Sequence, residues 1–169
     1  FDLFAVFLES LFSLKNSQDI YYLKHLLNFL VFFISSIFFF YLIKYRFKDN
    51  LLALIGVLFY ISSPRIFGDV FFNNKDIIFL SLVTIAVYYK FKLIDNFEYK
   101  NIAYFSIFSA LACACRIVGV FIPISFLFFI LFSALKKKKY VNELKKISFY
   151  IVIFLFVLIL FWPFLWESP

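Results

Sequence analysis

Four ionisable side chains lie within one short stretch of an otherwise apolar sequence, SSPRIFGDVFFNNKDIIF at positions 62–79. They are Arg65, Asp69, Lys75 and Asp76. Ionisable side chains near membrane-embedded segments are costly, about 2.5–3.5 kcal/mol at a helix centre, so these groups need partners, water or a function. The guanidinium of Arg65 offers a fixed fork of donors that suits a phosphate. Alternatively, Arg65 extends to the membrane interface, where Asp69 is an available partner.

Lys75 and Asp76 immediately precede a long apolar run, and two interpretations of this pair stay open. In the structural one, Asp76 lies at a helix N-terminus, where the helix dipole stabilises a negative charge, and Asn73 or Asn74 caps the same end. In the functional one, a carboxylate and a cation face a polar cavity at the outer surface of a membrane. The residues alone favour neither.

Arg116 is a further isolated cation, in CACRIVG, and Gly119 and Pro123 follow it. This pattern indicates a tight turn or a broken helix, with the Arg116 side chain pointing either into a polar cavity or outward to the interface. His25 is the one histidine, which excludes a histidine metal cluster, and we expect an interfacial histidine with its hydrogen bonds satisfied. Three glycines are too few for a nucleotide-binding loop.

The composition is that of an integral membrane protein. Of 169 residues, 65% are hydrophobic and 16% are charged, whereas soluble domains have about 45–50% apolar and about 25% charged residues. The sequence begins with Phe1 and contains no methionine, so we expect it to be part of a longer protein with segments on both sides.

Six apolar runs approach the length of about 20 residues that a spanning helix needs. We therefore predict an all-α, polytopic membrane helix bundle, with residues 1–169 forming a single transmembrane domain. Residues 1–14 are too short to span, and we predict that they form an interfacial helix at the outer membrane face. Asn16, Ser17 and Asp19 are candidates to cap the first spanning helix, and Asp19 fits best because the helix is predicted to begin near Ile20. The six predicted spans are 21–43, 51–63, 77–89, 102–115, 118–135 and 147–165.

The basic residues indicate an orientation. Twelve of the 17 lysines and arginines lie in three segments, 44–50, 90–100 and 136–146. With six spans, these segments fall on one side, which the positive-inside rule makes cytoplasmic. The net charge of +7 is thus better explained by topology, or by anionic lipid next to the four lysines at 136–139, than by nucleic acid, which we do not expect as a partner.

Several motifs resemble one family. The segments DIYYLKHLLNFLVFF, SPRIFG, FFNNKDIIF, RIVG and WPFLWESP are similar to those of GT-C superfamily membrane glycosyltransferases. The resemblance covers most of the chain, and it is nearest to the protein O-mannosyltransferases and lipid A aminoarabinose transferases of family 39. It implies an enzyme that moves a sugar from a polyprenyl-phosphate donor to an unidentified acceptor on the extracytoplasmic face, in a bacterial inner membrane.

The resemblance also implies roles for particular residues. Asp76 and Asp2 match acidic positions expected at the catalytic site, although the main catalytic aspartate is expected before Phe1. Lys75, Arg116 and Arg65 are the candidates for binding the donor phosphate. Because the donor is already activated, neither a metal nor another cofactor is required.

Two other classes of protein remain alternatives, a polytopic transporter or channel and a membrane subunit without an active site. A transporter predicts charges within the spans and helices broken near the middle of the membrane. The interiors of the predicted spans are almost free of charge, which favours chemistry at one membrane surface.

Overall fold

The computed structural model describes residues 2–137 and 140–162, without the side chains of residues 2, 3, 131–137 and 140–143. Every regular element in these ranges is helical, and no strand occurs in them. This confirms the predicted all-α membrane fold. The elements are α1 (Asp2–Leu11), α2 (Ser17–Phe47), α3 (Asn50–Ser62), α4 (Pro64–Asp69), α5 (Asp76–Asp95), α6 (Tyr99–Cys115), a 3-10 helix (Ile117–Val120), α7 (Phe121–Lys137) and α8 (Tyr140–Phe161).

Three helical stretches in the described part of the chain are long and apolar enough to cross a membrane. They lie in α2, α5 and α8 and correspond to the first, third and sixth predicted spans. The second and fifth predicted spans correspond to shorter apolar helices, Asn50–Ser62 and Ile117–Ile130. The fourth corresponds to α6, which has 17 residues.

The helix of the third predicted span is longer than the apolar run. It continues past Tyr89 to Asp95, and two lysines in this extension have partners. Lys90 donates a hydrogen bond of 2.7 Å to the hydroxyl of Ser125. The ammonium of Lys92 lies 4.9 Å from the centre of the Tyr88 ring.

The chain divides into two compact units, residues 1–81 and 82–169. In the first unit, α2 and α3 form a helical hairpin joined by two residues. Lys48 adopts the left-handed conformation at the end of α2, with φ of 56°. Asp49 caps α3 by accepting hydrogen bonds of 2.7 Å from the Leu51 amide and 3.3 Å from the Leu52 amide. The basic residues of segment 44–50 therefore lie at the tip of this hairpin.

Helix α1 packs on α2 through a buried Ala5 and an ion pair. A carboxylate oxygen of Glu9 is 3.1 Å from the ammonium of Lys24. Large apolar side chains of α1, including Phe7 and Leu11, remain exposed. Such a surface suits the predicted location at a membrane interface.

The predicted cap of the first spanning helix is wrong. Helix α2 begins at Ser17, with Asn16 at the N-cap position, and Asp19 lies in its first turn. The Asp19 carboxylate accepts a hydrogen bond of 3.1 Å from the side-chain amide of Asn16. Asp19 thus keeps a favourable position near the positive end of the helix dipole.

The second unit has a core of seven buried apolar side chains. Small residues on α6, among them Ser106, Ser109 and Cys113, are buried and allow neighbouring helices to approach closely. The hydroxyls of Ser109 and Tyr150 are 3.1 Å apart. The core residues are Ala86, Leu93, Ile102, Phe105, Phe126, Ile130 and Tyr150.

Candidate active site

The charged stretch identified in the sequence contains a short helix and a capped helix start. Helix α3 ends at Ser62, and Pro64 occupies the first turn of α4. Proline suits this position because its fixed φ matches the helix and its missing N–H has no helical partner there. Helix α4 ends at Asp69, whose carbonyl accepts hydrogen bonds from the amides of Phe72, at 3.1 Å, and Asn73, at 2.8 Å.

Asn73 and Asp76 define the start of α5. The side-chain oxygen of Asn73 accepts a hydrogen bond of 3.0 Å from the Asp76 backbone amide. In return, the side-chain amide of Asn73 donates a 2.9 Å hydrogen bond to the Asp76 carboxylate. The predicted cap is confirmed, with Asn73 as the residue that provides it. The hydrogen bond from Asn73 fixes the orientation of the carboxylate at the N-terminus of α5.

The turn before this cap rests on α2. The side-chain amide of Asn28 donates a 2.6 Å hydrogen bond to the Val70 carbonyl. One turn earlier on α2, a ring nitrogen of His25 donates to the Phe71 carbonyl. The ring of His25 also contacts Phe72, with ring centres 5.1 Å apart. The expectation that His25 has its hydrogen bonds satisfied is therefore confirmed, whereas Asn28 was not identified from the sequence.

An apolar cluster lies behind the turn. Phe32 on α2, Val70 and Ile77 are all buried. Phe32 also stacks on Tyr60 of α3, with ring centres 5.3 Å apart. This cluster fixes the start of α5 against two other helices of the first unit.

The first unit contains three of the predicted site residues whose side chains the structure describes. Asp76 is half-buried, and Lys75 and Arg65 are exposed. No ion pair joins Arg65 to Asp69 among the residues that the structure describes. The side chain of Asp2 lies outside the described residues, and Asp2 is known only as the first residue of α1.

Arg116 lies in the second unit, where it ends α6. Its backbone is extended, with φ of −147° and ψ of 137°. The backbone amide of Arg116 donates to the Ala112 carbonyl at 3.0 Å, and its carbonyl accepts from the Gly119 amide at 2.8 Å. The side chain is exposed. The predicted break in the helix at this position is confirmed.

The geometry around Asp76 suits proton transfer or the orientation of a hydroxyl group. A fixed carboxylate accepts a proton from a hydroxyl that comes within hydrogen-bond distance. An exposed ammonium and an exposed guanidinium in the same segment attract an anionic group such as a phosphate. These groups are the elements that a transfer reaction with a phosphate leaving group needs.

The comparison with known families identifies the chain. The model of the dolichyl-phosphate-mannose-protein mannosyltransferase family matches residues 4–166. This chain belongs to that family. It is a membrane glycosyltransferase of the GT-C type, in agreement with its motifs and its apolar helices. No curated protein and no solved structure matches the chain. In the WPFLWESP motif, residues 163–169 lie outside the described residues.

Proposed function

We propose that this mannosyltransferase-family protein moves a sugar from a polyprenyl-phosphate donor to an acceptor hydroxyl on the extracytoplasmic face. The observation that carries the proposal is the carboxylate of Asp76, fixed by Asn73 at 2.9 Å, in a chain that matches the family over residues 4–166. Lys75, Arg65 and Arg116 are proposed to contact the donor phosphate, and Asp2 is proposed as a second acidic group.

The reaction breaks the bond between the sugar anomeric carbon and the phosphate oxygen of the donor. The acceptor oxygen forms the new bond to that carbon, and polyprenyl phosphate leaves with the electron pair. We assign the proton of the acceptor hydroxyl to Asp76, instead of to the aspartate that the family resemblance led us to expect before Phe1. Lys75 and Arg65 stabilise the negative charge that develops on the leaving phosphate, and Arg116 is the candidate for this role in the second unit. The polyprenyl tail stays in the lipid throughout.

Helix α2 supports the proposed side of the membrane. His25 contacts the turn before Asp76 near one end of α2, and Lys44 and Arg46 lie in the last turn at the other. His25 and Lys44 are about 28 Å apart along the axis at roughly 1.5 Å per residue, close to the thickness of about 30 Å of the hydrocarbon core. By the positive-inside rule, the basic end is expected in the cytoplasm and Asp76 outside, which supports the proposed extracytoplasmic site in a bacterial inner membrane.

The donor class is tested with the full-length gene product in proteoliposomes. Dolichyl phosphate carrying tritiated mannose or glucose is compared with GDP-[3H]mannose, and a membrane extract of the host serves as the acceptor mixture. We expect label to leave the lipid-extractable fraction for at least one dolichyl-linked sugar. Loss of label from GDP-mannose alone, or no loss beyond that in protein-free liposomes, would contradict the proposal.

A further inference from the structure

Two neighbouring side chains of α2 bind two successive carbonyl groups of the turn between α4 and α5. Asn28 donates to the Val70 carbonyl at 2.6 Å, and His25 donates to that of Phe71. The donors lie three residues apart, on the same face of α2. The contacts join positions 42 and 46 residues apart in the sequence.

Of the two, the Val70 carbonyl most needs a partner, because no helix supplies one and Phe71 is 40% exposed. Helix α4 ends at Asp69, and the carbonyls that follow the last turn of a helix have no partner within it. Val70 is 3% exposed, so water does not readily replace the missing bond. In a membrane protein, an unpaired backbone carbonyl away from water is destabilising. Asn28 and His25 supply the donors from a rigid element.

The turn is connected to the Asp76 carboxylate by a short path. Phe71 is two residues from Asn73, whose backbone amide donates to the Asp69 carbonyl at 2.8 Å. The side chain of Asn73 in turn donates to the Asp76 carboxylate at 2.9 Å. Displacement of the Val70–Phe71 backbone therefore moves the residue that fixes Asp76.

Asn28 is unusual for a buried residue of a spanning helix. It is 1% exposed, and its side-chain oxygen accepts no hydrogen bond from the described residues. A buried polar group left unpaired is unfavourable, and burying leucine at this position of a spanning helix would have a lower free-energy cost. The side-chain amide of Asn28 offsets this penalty by donating a hydrogen bond to the Val70 carbonyl.

We infer that Asn28, assisted by His25, is a positioning residue that holds the Asp76 carboxylate in the geometry needed for transfer. The inference rests on the proposed function and adds two residues of α2 to it. Neither side chain touches the reacting atoms. Their effect is on the placement of Asp76, and it therefore falls on the rate of the chemical step more than on the binding of the donor.

The test uses Asn28→Leu, with Ser35→Ala as the matched control. Ser35 is also a buried polar residue of α2, but its hydroxyl donates to the Phe32 carbonyl of its own helix at 2.9 Å. The full-length protein is assayed in proteoliposomes with dolichyl-phosphate [3H]mannose or the glucose-linked donor, whichever it consumes. Hydrogen exchange of the segment 69–77 is measured on the same preparations.

We expect Asn28→Leu to lower kcat by about 10- to 100-fold, because a displacement of roughly 1 Å at a reacting group has effects of this size. The KM for the donor should be unchanged, and exchange of the segment 69–77 should become faster. Ser35→Ala should match the wild type in all three measurements. If Asn28→Leu does not fold, His25→Phe is used in its place, since phenylalanine keeps an aromatic ring but lacks the donor to the Phe71 carbonyl. His25→Asn, which has a side-chain donor, should have a kcat near that of the wild type.

Two results would overturn the inference while leaving the proposed function intact. One is a wild-type kcat in Asn28→Leu with an active wild-type enzyme, and the other is an equal loss in Ser35→Ala. The first result would contradict positioning even if exchange became faster, because faster exchange alone shows a structural role only. If the wild-type protein consumes neither lipid-linked donor, the proposed function fails first, and the inference fails with it.

Discussion

Asn73 and Asp76 are joined by two hydrogen bonds that run in opposite directions. The Asn73 oxygen accepts from the Asp76 backbone amide at 3.0 Å, and the Asn73 amide donates to the Asp76 carboxylate at 2.9 Å. The first bond caps α5, and the second fixes the orientation of the carboxylate. One asparagine thus serves both the stability of the helix and the proposed chemistry, and the two contributions can be separated by substitution.

Substitution of Asn73 should separate these contributions. Asn73→Ala removes both bonds and should lower stability by about 1 kcal/mol, the usual effect of losing an N-cap. Asn73→Ser keeps an oxygen that can cap the helix but loses the amide donor. We expect Asn73→Ser to unfold near the wild-type temperature while its transfer rate falls. Equal transfer rates in Asn73→Ser and the wild type would contradict the role given to the second bond.

Gly119 should not tolerate a side chain. A Cβ atom there would lie 2.7 Å from backbone atoms of Ala112 and Cys113, so Gly119→Ala should destabilise the protein by about 1–3 kcal/mol. Gly68 is the matched control, because a Cβ atom at that position meets nothing within 4 Å. Thermal unfolding in detergent should show a lower midpoint for Gly119→Ala and an unchanged or higher one for Gly68→Ala.

The cations should affect the binding of the donor. Lys75→Ala, Arg65→Ala and Arg116→Ala are each expected to raise the KM for dolichyl-phosphate-linked sugar, because each removes a positive charge proposed to contact the phosphate. Lys15→Ala is the control, since Lys15 is also exposed and precedes the first predicted span, whose other end carries the basic segment 44–50. A residue whose substitution changes KM no more than Lys15→Ala does is not a phosphate contact.

The orientation can be tested within the first unit. Cys113 and Cys115 are replaced by alanine, and single cysteines are introduced at Gly68 and at Asn50, which begins α3 and is the last residue of the basic segment 44–50. In intact cells, a membrane-impermeant maleimide should label Gly68→Cys but label Asn50→Cys only after permeabilisation. The reverse labelling would place Asp76 in the cytoplasm and contradict the proposed acceptor side.

Local signals in the sequence were enough to predict the parts of the site that are close in the chain. The apolar run predicted a span that ends at residue 63, one residue beyond the end of α3 at Ser62. The asparagines before Asp76, Asn73 or Asn74, predicted the cap of α5, which Asn73 provides. The basic segments predicted which ends of the helices carry positive charge. These features depend on capping and backbone constraints that act over a few residues.

The support from α2 could not be predicted in this way. The bonds from Asn28 and His25 reach backbone carbonyls 42 and 46 residues further along the chain, and a carbonyl group has no signature in the sequence. An asparagine within an apolar helix was the available signal. The predicted start of α2 is wrong because asparagine and aspartate are both common N-cap residues. The helical backbone begins at Ser17, so Asn16 and not Asp19 occupies the N-cap position.

The most direct test of the account is the transfer rate of Asp76→Asn. Asparagine can still accept the hydrogen bond from Asn73, so the fold should survive, but it cannot take the proton of the acceptor. With saturating dolichyl-phosphate-linked sugar, we predict a loss of at least about 100-fold in kcat. Asp69→Asn, the control in the same segment, should keep the wild-type rate. A wild-type rate in Asp76→Asn would contradict the central claim.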